Sequence, residues 1–167
     1  MRIVIQRVTE ASVAVNGKTV GAIEKGYMIL VGVENADTQE DAEWLARKVA
    51  SLRVFDDEAG VMNRDIRQTE GSVLAISQFT LFASYKKNNR PSWFRASKQA
   101  YSEPLYNYFC DQLELQLGAG KVARGIFGAD MKVALINCYH YYGHEKQRID
   151  SNLFYNNRRQ KRHNSFN

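Results

Sequence analysis

Apolar and polar residues alternate from the start of the chain. Arg2 to Val8 alternates moderately and Ala11 to Val15 more strictly, the two-residue period of strands whose faces meet different surroundings. Asn16-Gly17 supplies two residues that accept positive φ, and Lys18 to Ile23 reads as the returning arm of a hairpin. Gly26 to Val33 is an almost unbroken apolar run between turn residues, which predicts a buried strand. Taken in order, the opening third reads as a β-meander.

The period then changes. Ala42, Leu45, Ala46, Val49 and Leu52 recur at helical spacing, with Glu40, Glu43, Arg47 and Lys48 on the opposite side, and Thr38 with Asp41 has capping-box spacing. Arg53-Val-Phe55 predicts a short strand. The turn Asp56-Asp-Glu-Ala-Gly60 clusters three carboxylates but lacks the ligand alternation of a calcium loop, so it reads as a solvated acidic turn. A second helix is expected over Ser97 to Leu117, with Pro104 marking an internal start or a kink and Gly118 and Gly120 closing it. Lys132 to Asn137 reads as a last strand, and Cys110 as a small core residue.

One predicted strand, Val73 to Phe82, breaks the pattern. Val73-Leu-Ala-Ile76 is apolar, but Ser77, Gln78, Phe79 and Thr80 place hydroxyls and an amide where a buried strand runs out. Polar groups in that position are either satisfied by hydrogen bonds or available for chemistry. Beyond it, Lys86, Lys87 and Arg90 alternate with Asn and Pro and lead into Trp93-Phe-Arg95, a mixture suited to phosphate contact and to stacking on bases or sugars. A solvated loop has the same composition.

Composition narrows the chemistry. The chain has 167 residues, room for one domain with a real core. Its formal net charge of +5 is uneven: residues 1–137 hold 17 Lys and Arg against 16 Asp and Glu, whereas residues 138–167 hold six against two. All three histidines (His140, His144 and His163) also fall in that second stretch. The first 137 residues therefore cannot build a Ser-His-Asp or Cys-His triad. They carry no nucleotide-binding glycine loop and no metal-ligand spacing, so no cofactor or metal is expected. An enzyme made from this body must work with hydroxyls, backbone N–H groups and functional groups of its substrate, which suits an ester better than an amide or phosphodiester. No apolar run is long enough for a membrane span, no leader peptide is evident, and two cysteines without framework spacing point to the cytoplasm.

Four segments in this order, Met1-Arg-Ile-Val-Ile-Gln-Arg-Val8, Ser77-Gln-Phe-Thr-Leu81, Lys86-Lys-Asn-Asn-Arg-Pro-Ser92 and Phe127-Gly-Ala-Asp-Met131, resemble the D-aminoacyl-tRNA deacylases. The resemblance covers Met1 to Asn137. It implies an α+β fold, with a β-rich, barrel-like sheet and two helices packed outside, in a cytoplasmic homodimer. The implied activity is hydrolysis of the ester joining a D-amino acid, or mischarged glycine, to the 3′ end of tRNA. Backbone groups of Ser77, Gln78, Phe79 and Thr80 would hold the ester, with the terminal ribose 2′-OH assisting. Phe127, Gly128, Ala129 and Met131 would receive the terminal adenosine, and Lys86, Lys87 and Arg90 would face the tRNA backbone. Arg7 matches the residue that helps hold a Gly-Pro element supplied by the partner subunit.

That Gly-Pro element is missing. Where the family continues Asn-Asp-Gly-Pro-Val-Thr, this chain has Asn137-Cys-Tyr-His-Tyr-Tyr-Gly-His144, and no proline follows Pro104. The division expected is a deacylase-like domain over 1–137 and an atypical basic tail over 138–167, mostly disordered. Back-translating Cys138 to His144 and shifting one base allows Val-Thr-Ile-Thr-Met-Asp, so an out-of-frame ending is one explanation of the tail. Two alternatives to a working deacylase follow: a non-catalytic RNA-binding module with a basic tail, and an inactive frameshifted copy.

Overall fold

The computed structural model describes residues 1–86 and 89–138, together with the backbone of Asn152–Asn156. Strand β1 (Arg2–Val15) is the spine. It forms a hairpin with β2 (Lys18–Ile23) through Asn16 and Gly17, whose φ values of 51° and 76° are those the turn requires. β3 (Gly26–Gly32) does not continue this as a meander: it pairs antiparallel with the first half of β1, giving the order β2-β1-β3. β1 is 14 residues long and β2 only six, so half of β1 is left for another partner.

The two alternating segments at the start of the chain are one strand with a phase change. Ile3 and Ile5 point into the larger core, whereas Val8, Ala11 and Val13 point into a smaller one. The pairing with β8 steps from Val8↔Asn137 to Glu10↔Ile136, so Thr9 is an extra residue on β1. Such a bulge bends the strand and moves later side chains to the other face.

Helix α1 (Gln39–Ser51) buries Ala42, Leu45, Ala46 and Val49 as its sequence period requires, and Asp41 accepts the Thr38 N–H at 2.9 Å. A small hairpin follows, β4 (Phe55–Asp56) with β5 (Met62–Arg64). Its acidic turn uses Asp57 internally: the carboxylate accepts the N–H groups of Ala59 and Val61 and the Asn63 amide. β6 (Ser72–Ser77) runs parallel to β3, and β7 (Val122–Arg124), which the sequence pattern did not reveal, runs parallel to β6. Between them lies α2 (Gln99–Leu117), which carries Pro104 internally and ends at Gly118, φ 104°. β8 (Met131–Asn137) returns along β1.

The sheet curls into a nearly closed barrel with both helices outside, the α+β arrangement expected. The barrel nearly closes where β2 meets β7: a Cβ on Gly21 would lie 2.9 Å from the Arg124 carbonyl oxygen. Residues 139–151 and 157–167, on which most of the expected disorder falls, lie outside the described residues. Asn152–Asn156 forms strand β9, antiparallel to Arg2–Gln6 of β1.

Candidate active site

β6 occupies a central position between β3 and β7, and its side chains from Val73 to Ile76 are buried. The strand stops at Ser77, five residues before the predicted end. The Gln78 N–H still completes the ladder by donating to the Val31 carbonyl at 2.7 Å, but Phe79–Phe82 then coils into a 3₁₀ turn. Three features seat this turn. Phe82 is buried and receives the Arg2 guanidinium 4.6 Å above its ring. Arg2 also donates to the Leu81 carbonyl at 2.7 Å. Gly32 on β3 leaves the space the turn occupies, since a Cβ there would stand 3.0 Å from the Gln78 carbonyl oxygen and 3.1 Å from Phe82.

A turn of this kind leaves its first N–H groups without intrahelical partners. Here they belong to Phe79 and Thr80, and neither makes a hydrogen bond within the described residues. The Gln78 side-chain amide donates to Thr80 Oγ1. Among the described residues, no carboxylate or imidazole accepts a hydrogen bond from the Thr80 hydroxyl, so nothing there activates it as a nucleophile.

Across from the turn, Gly125 N–H donates to the Ala75 carbonyl at 2.9 Å and directs the chain through a bend at Ile126–Ala129 into β8. Gly128 takes φ 74°, a left-handed conformation that favours glycine. Phe127 packs on Tyr106 with ring centroids 5.7 Å apart, and Tyr106 in turn donates to the Ala75 carbonyl at 2.8 Å. Burial raises the Tyr106 hydroxyl pKa far above its usual value, so this phenol is a fixed donor.

These two walls enclose a cleft of about 380 Å³, a size suited to a small ligand group. Ser77, Gln78 and Phe79 lie on one side and Phe127, Gly128, Ala129 and Met131 on the other. Fifty residues of sequence separate the two segments, and the fold brings them together. The third wall is the start of α2 with Ser97, Gln99 and Ser102, which the sequence reading missed. Its signal was weak: three polar residues ahead of and within a helix look like ordinary capping and surface positions. Their bonds are mostly local, Ser102 Oγ to the Lys98 carbonyl at 3.0 Å and Gln99 to Glu103 at 3.0 Å.

The other expected residues lie outside this wall. Thr80 follows it by one residue. Lys86 and Arg90 are exposed on a loop clasped by reciprocal Ser84–Ser92 backbone bonds of 2.8 and 3.0 Å; Lys87 is outside the described residues. Arg7, 7% exposed, donates to the Val54 carbonyl and pairs with Asp56 at 3.4 Å. Among the described residues, Asp130 is the one carboxylate on the cleft wall, and it faces Lys132 at 3.1 Å. No group of three or more metal-ligating side chains occurs among the described residues. Nor is any helix there long and apolar enough to cross a membrane.

A family model described as D-Tyr-tRNA(Tyr) deacylase matches residues 4–138. The chain belongs to this family. It is 60% identical over 137 residues to the D-aminoacyl-tRNA deacylase of Phocaeicola vulgatus, covering 82% of this chain and 91% of that one. A Bacteroides fragilis protein of the same name is 56% identical over the same shares. Among solved structures, the c-Myc DNA Unwinding Element Binding Protein superposes with a TM-score of 0.78 at 37% identity, over 83% of this chain and 93% of that one. A probable eukaryotic D-amino acid tRNA deacylase, 14% identical, shares the fold at a TM-score of 0.71, over 81% and 93%. Membership of the deacylase family favours the deacylase over the non-catalytic RNA-binding module, and none of these likenesses favours the inactive copy.

Proposed function

We propose that this cleft hydrolyses the ester between a D-amino acid, or mischarged glycine, and the 3′-terminal adenosine of tRNA. The observation that carries the reading is the convergence of Ser77–Phe79 and the Phe127–Met131 segment on one cleft that offers backbone donors and, among the described residues, no acid–base pair. The ester carbonyl accepts the Phe79 and Thr80 N–H groups, which stabilise negative charge as water adds to the carbon. Collapse of that adduct breaks the C–O bond to the ribose, releasing the amino acid and a tRNA with a free 3′-OH. The neighbouring ribose 2′-OH relays the proton, since no base beside the turn is found among the described residues. Phe127, Gly128, Ala129 and Met131 receive the adenosine, and Lys86, Lys87 and Arg90 lie toward the tRNA backbone.

The test compares D-Tyr-tRNA with a tRNA ending in 2′-deoxyadenosine that carries the same 3′ ester. Hydrolysis of the first and a loss of at least about a hundredfold with the second supports the mechanism. Equal rates would discard the 2′-OH role, and no hydrolysis of either would discard the function.

The reading extends to a cytoplasmic homodimer. Its support is β8, whose Val133 and Ile136 remain 37% and 54% exposed beside the cleft. Sedimentation at micromolar concentration tests it, and a monomer there refutes it. Because the Gly-Pro pair is missing after Asn137, we further propose relaxed chirality, with L-Tyr-tRNA cleaved at a measurable rate, and an out-of-frame origin for residues 138–167. Full sparing of L-Tyr-tRNA refutes the first. Sequencing the gene across codon 137 decides the second, because a frame without recoverable Gly-Pro-Val-Thr refutes it.

A further inference from the structure

Four large aromatic side chains around the basic loop are exposed although the chain has a well-filled core. Phe79 is 56% exposed, Tyr85 64%, Trp93 39% and Phe94 74%. Exposed rings cost solvation free energy, so a group of them marks a contact surface more often than a lone one does. These four are physically organised. Phe79 lines the cleft, and Trp93 meets it edge-on with ring centroids 5.5 Å apart. Tyr85 opens the loop that the paired Ser84 and Ser92 clasp, and Trp93 leaves it just beyond Ser92. A turn closed by the Ala96 N–H to the Trp93 carbonyl, at 2.9 Å, fixes the backbone at Phe94. Lys86 and Arg90 are exposed on the same loop.

We propose that Trp93 and Phe94 form a stacking platform for the unpaired nucleotides immediately preceding the terminal adenosine of the substrate. The inference rests on the RNA-ester reading of the cleft and extends it to a second subsite outside. The occupant must present flat apolar faces to the rings and negative charge to Lys86 and Arg90. It must also be continuous with a group lying in the cleft past Phe79. Single-stranded RNA has all three properties, because each base offers a π face and each linkage a phosphate. An acidic peptide would match the rings and the cations, but it would not be continuous with a nucleotide held in the cleft.

Phe94→Ala tests the platform, because this ring is the most exposed of the four and belongs to no part of the cleft. The variant and the native chain are compared on D-Tyr-tRNA and on 3′-O-D-tyrosyl-adenosine, which lacks the preceding nucleotides. Tryptophan fluorescence is titrated in parallel with the unacylated trinucleotide CCA and with its analogue lacking the first two bases. The chain has two tryptophans, and Trp44 is held on α1 beside Lys48, so quenching reports Trp93.

Loss of one base–aromatic stack predicts a KM for D-Tyr-tRNA raised about 5- to 30-fold at unchanged kcat. Hydrolysis of tyrosyl-adenosine should stay unaltered, and Phe94→Tyr should restore the KM. The trinucleotide should quench the native protein more strongly than the analogue that keeps only the terminal base. An equal KM rise on both substrates, no rise on either, or equal quenching by both trinucleotides overturns the platform. So does light scattering that shows Phe94→Ala turning a dimer into a monomer, since a second copy then covers the patch. Quenching without hydrolysis leaves the platform standing and removes the deacylase reading.

Discussion

The two faces of the curled sheet are covered very differently. On the outer face, Met1, Ile3, Ile5, Ile29 and Val31 meet the stripes of α1 and α2 in one large core that includes Leu45, Val49, Phe109 and Leu113. On the inner face the buried set among the described residues is Val8, Ala11, Val13, Met28, Leu74 and Ile76, with Met131 and Leu135 half-covering it. β8 closes that side incompletely. The cleft opens where this smaller core gives out, with Ile76 and Met131 in its wall. One face thus supplies stability and holds the strands rigid. The other gives up packing density so that backbone groups at the end of β6 stay accessible.

Substitutions on the two faces should separate these roles. Phe109→Ala removes a fully buried ring from the larger core and should cost about 3–5 kcal/mol in denaturant unfolding, with kcat per folded molecule unchanged. A loss below 1 kcal/mol would mean that the outer face does not dominate stability. Gly32→Ala should do the opposite. Its new methyl must displace Gln78 and Leu81 by a few tenths of an ångström, so kcat should fall about tenfold with little change in unfolding. Unaltered kcat would show that the position of the turn is not critical. Met131→Ala is smaller again: roughly 1 kcal/mol of stability and a several-fold rise in KM at constant kcat, because the residue is only half-buried and lines the cleft wall proposed to receive the adenosine.

Much of the outer face is legible in the sequence, because helical spacing in α1 and i, i+4 spacing in α2 follow directly from burying one side. The Asn16-Gly17 hairpin is equally local. What pattern could not give were the non-local choices. β3 pairs with β1 because of their relative lengths, Thr9 shifts the phase of β1 by a bulge, and three-residue β7 is too short to show a period. The same division holds in the cleft. Ser77–Thr80 and Phe127–Met131 stand out as polar or small residues at strand ends, whereas Gly32 and Arg2 matter through approach to a turn about fifty and eighty residues away. Ser97, Gln99 and Ser102 join the wall only because α2 starts beside it.

The smallest expected effect again lies on the outer face. Asp65 begins the turn that places Ile66 in the large core. Burial acts to raise its pKa, but the Arg67 guanidinium at 2.6 Å and the backbone N–H groups of Gln68 and Arg67, both at 3.0 Å, outweigh that and hold the carboxyl below its usual range. A carboxylate with a depressed folded-state pKa favours folding above its unfolded value, about 4. That contribution fades as pH falls through the lower folded-state value. Asp65→Asn should therefore lower Tm at pH 7, and the gap to the native chain should narrow steadily as pH falls below about 4. A gap that stays constant over that range would assign the loss to altered hydrogen bonding and not to charge.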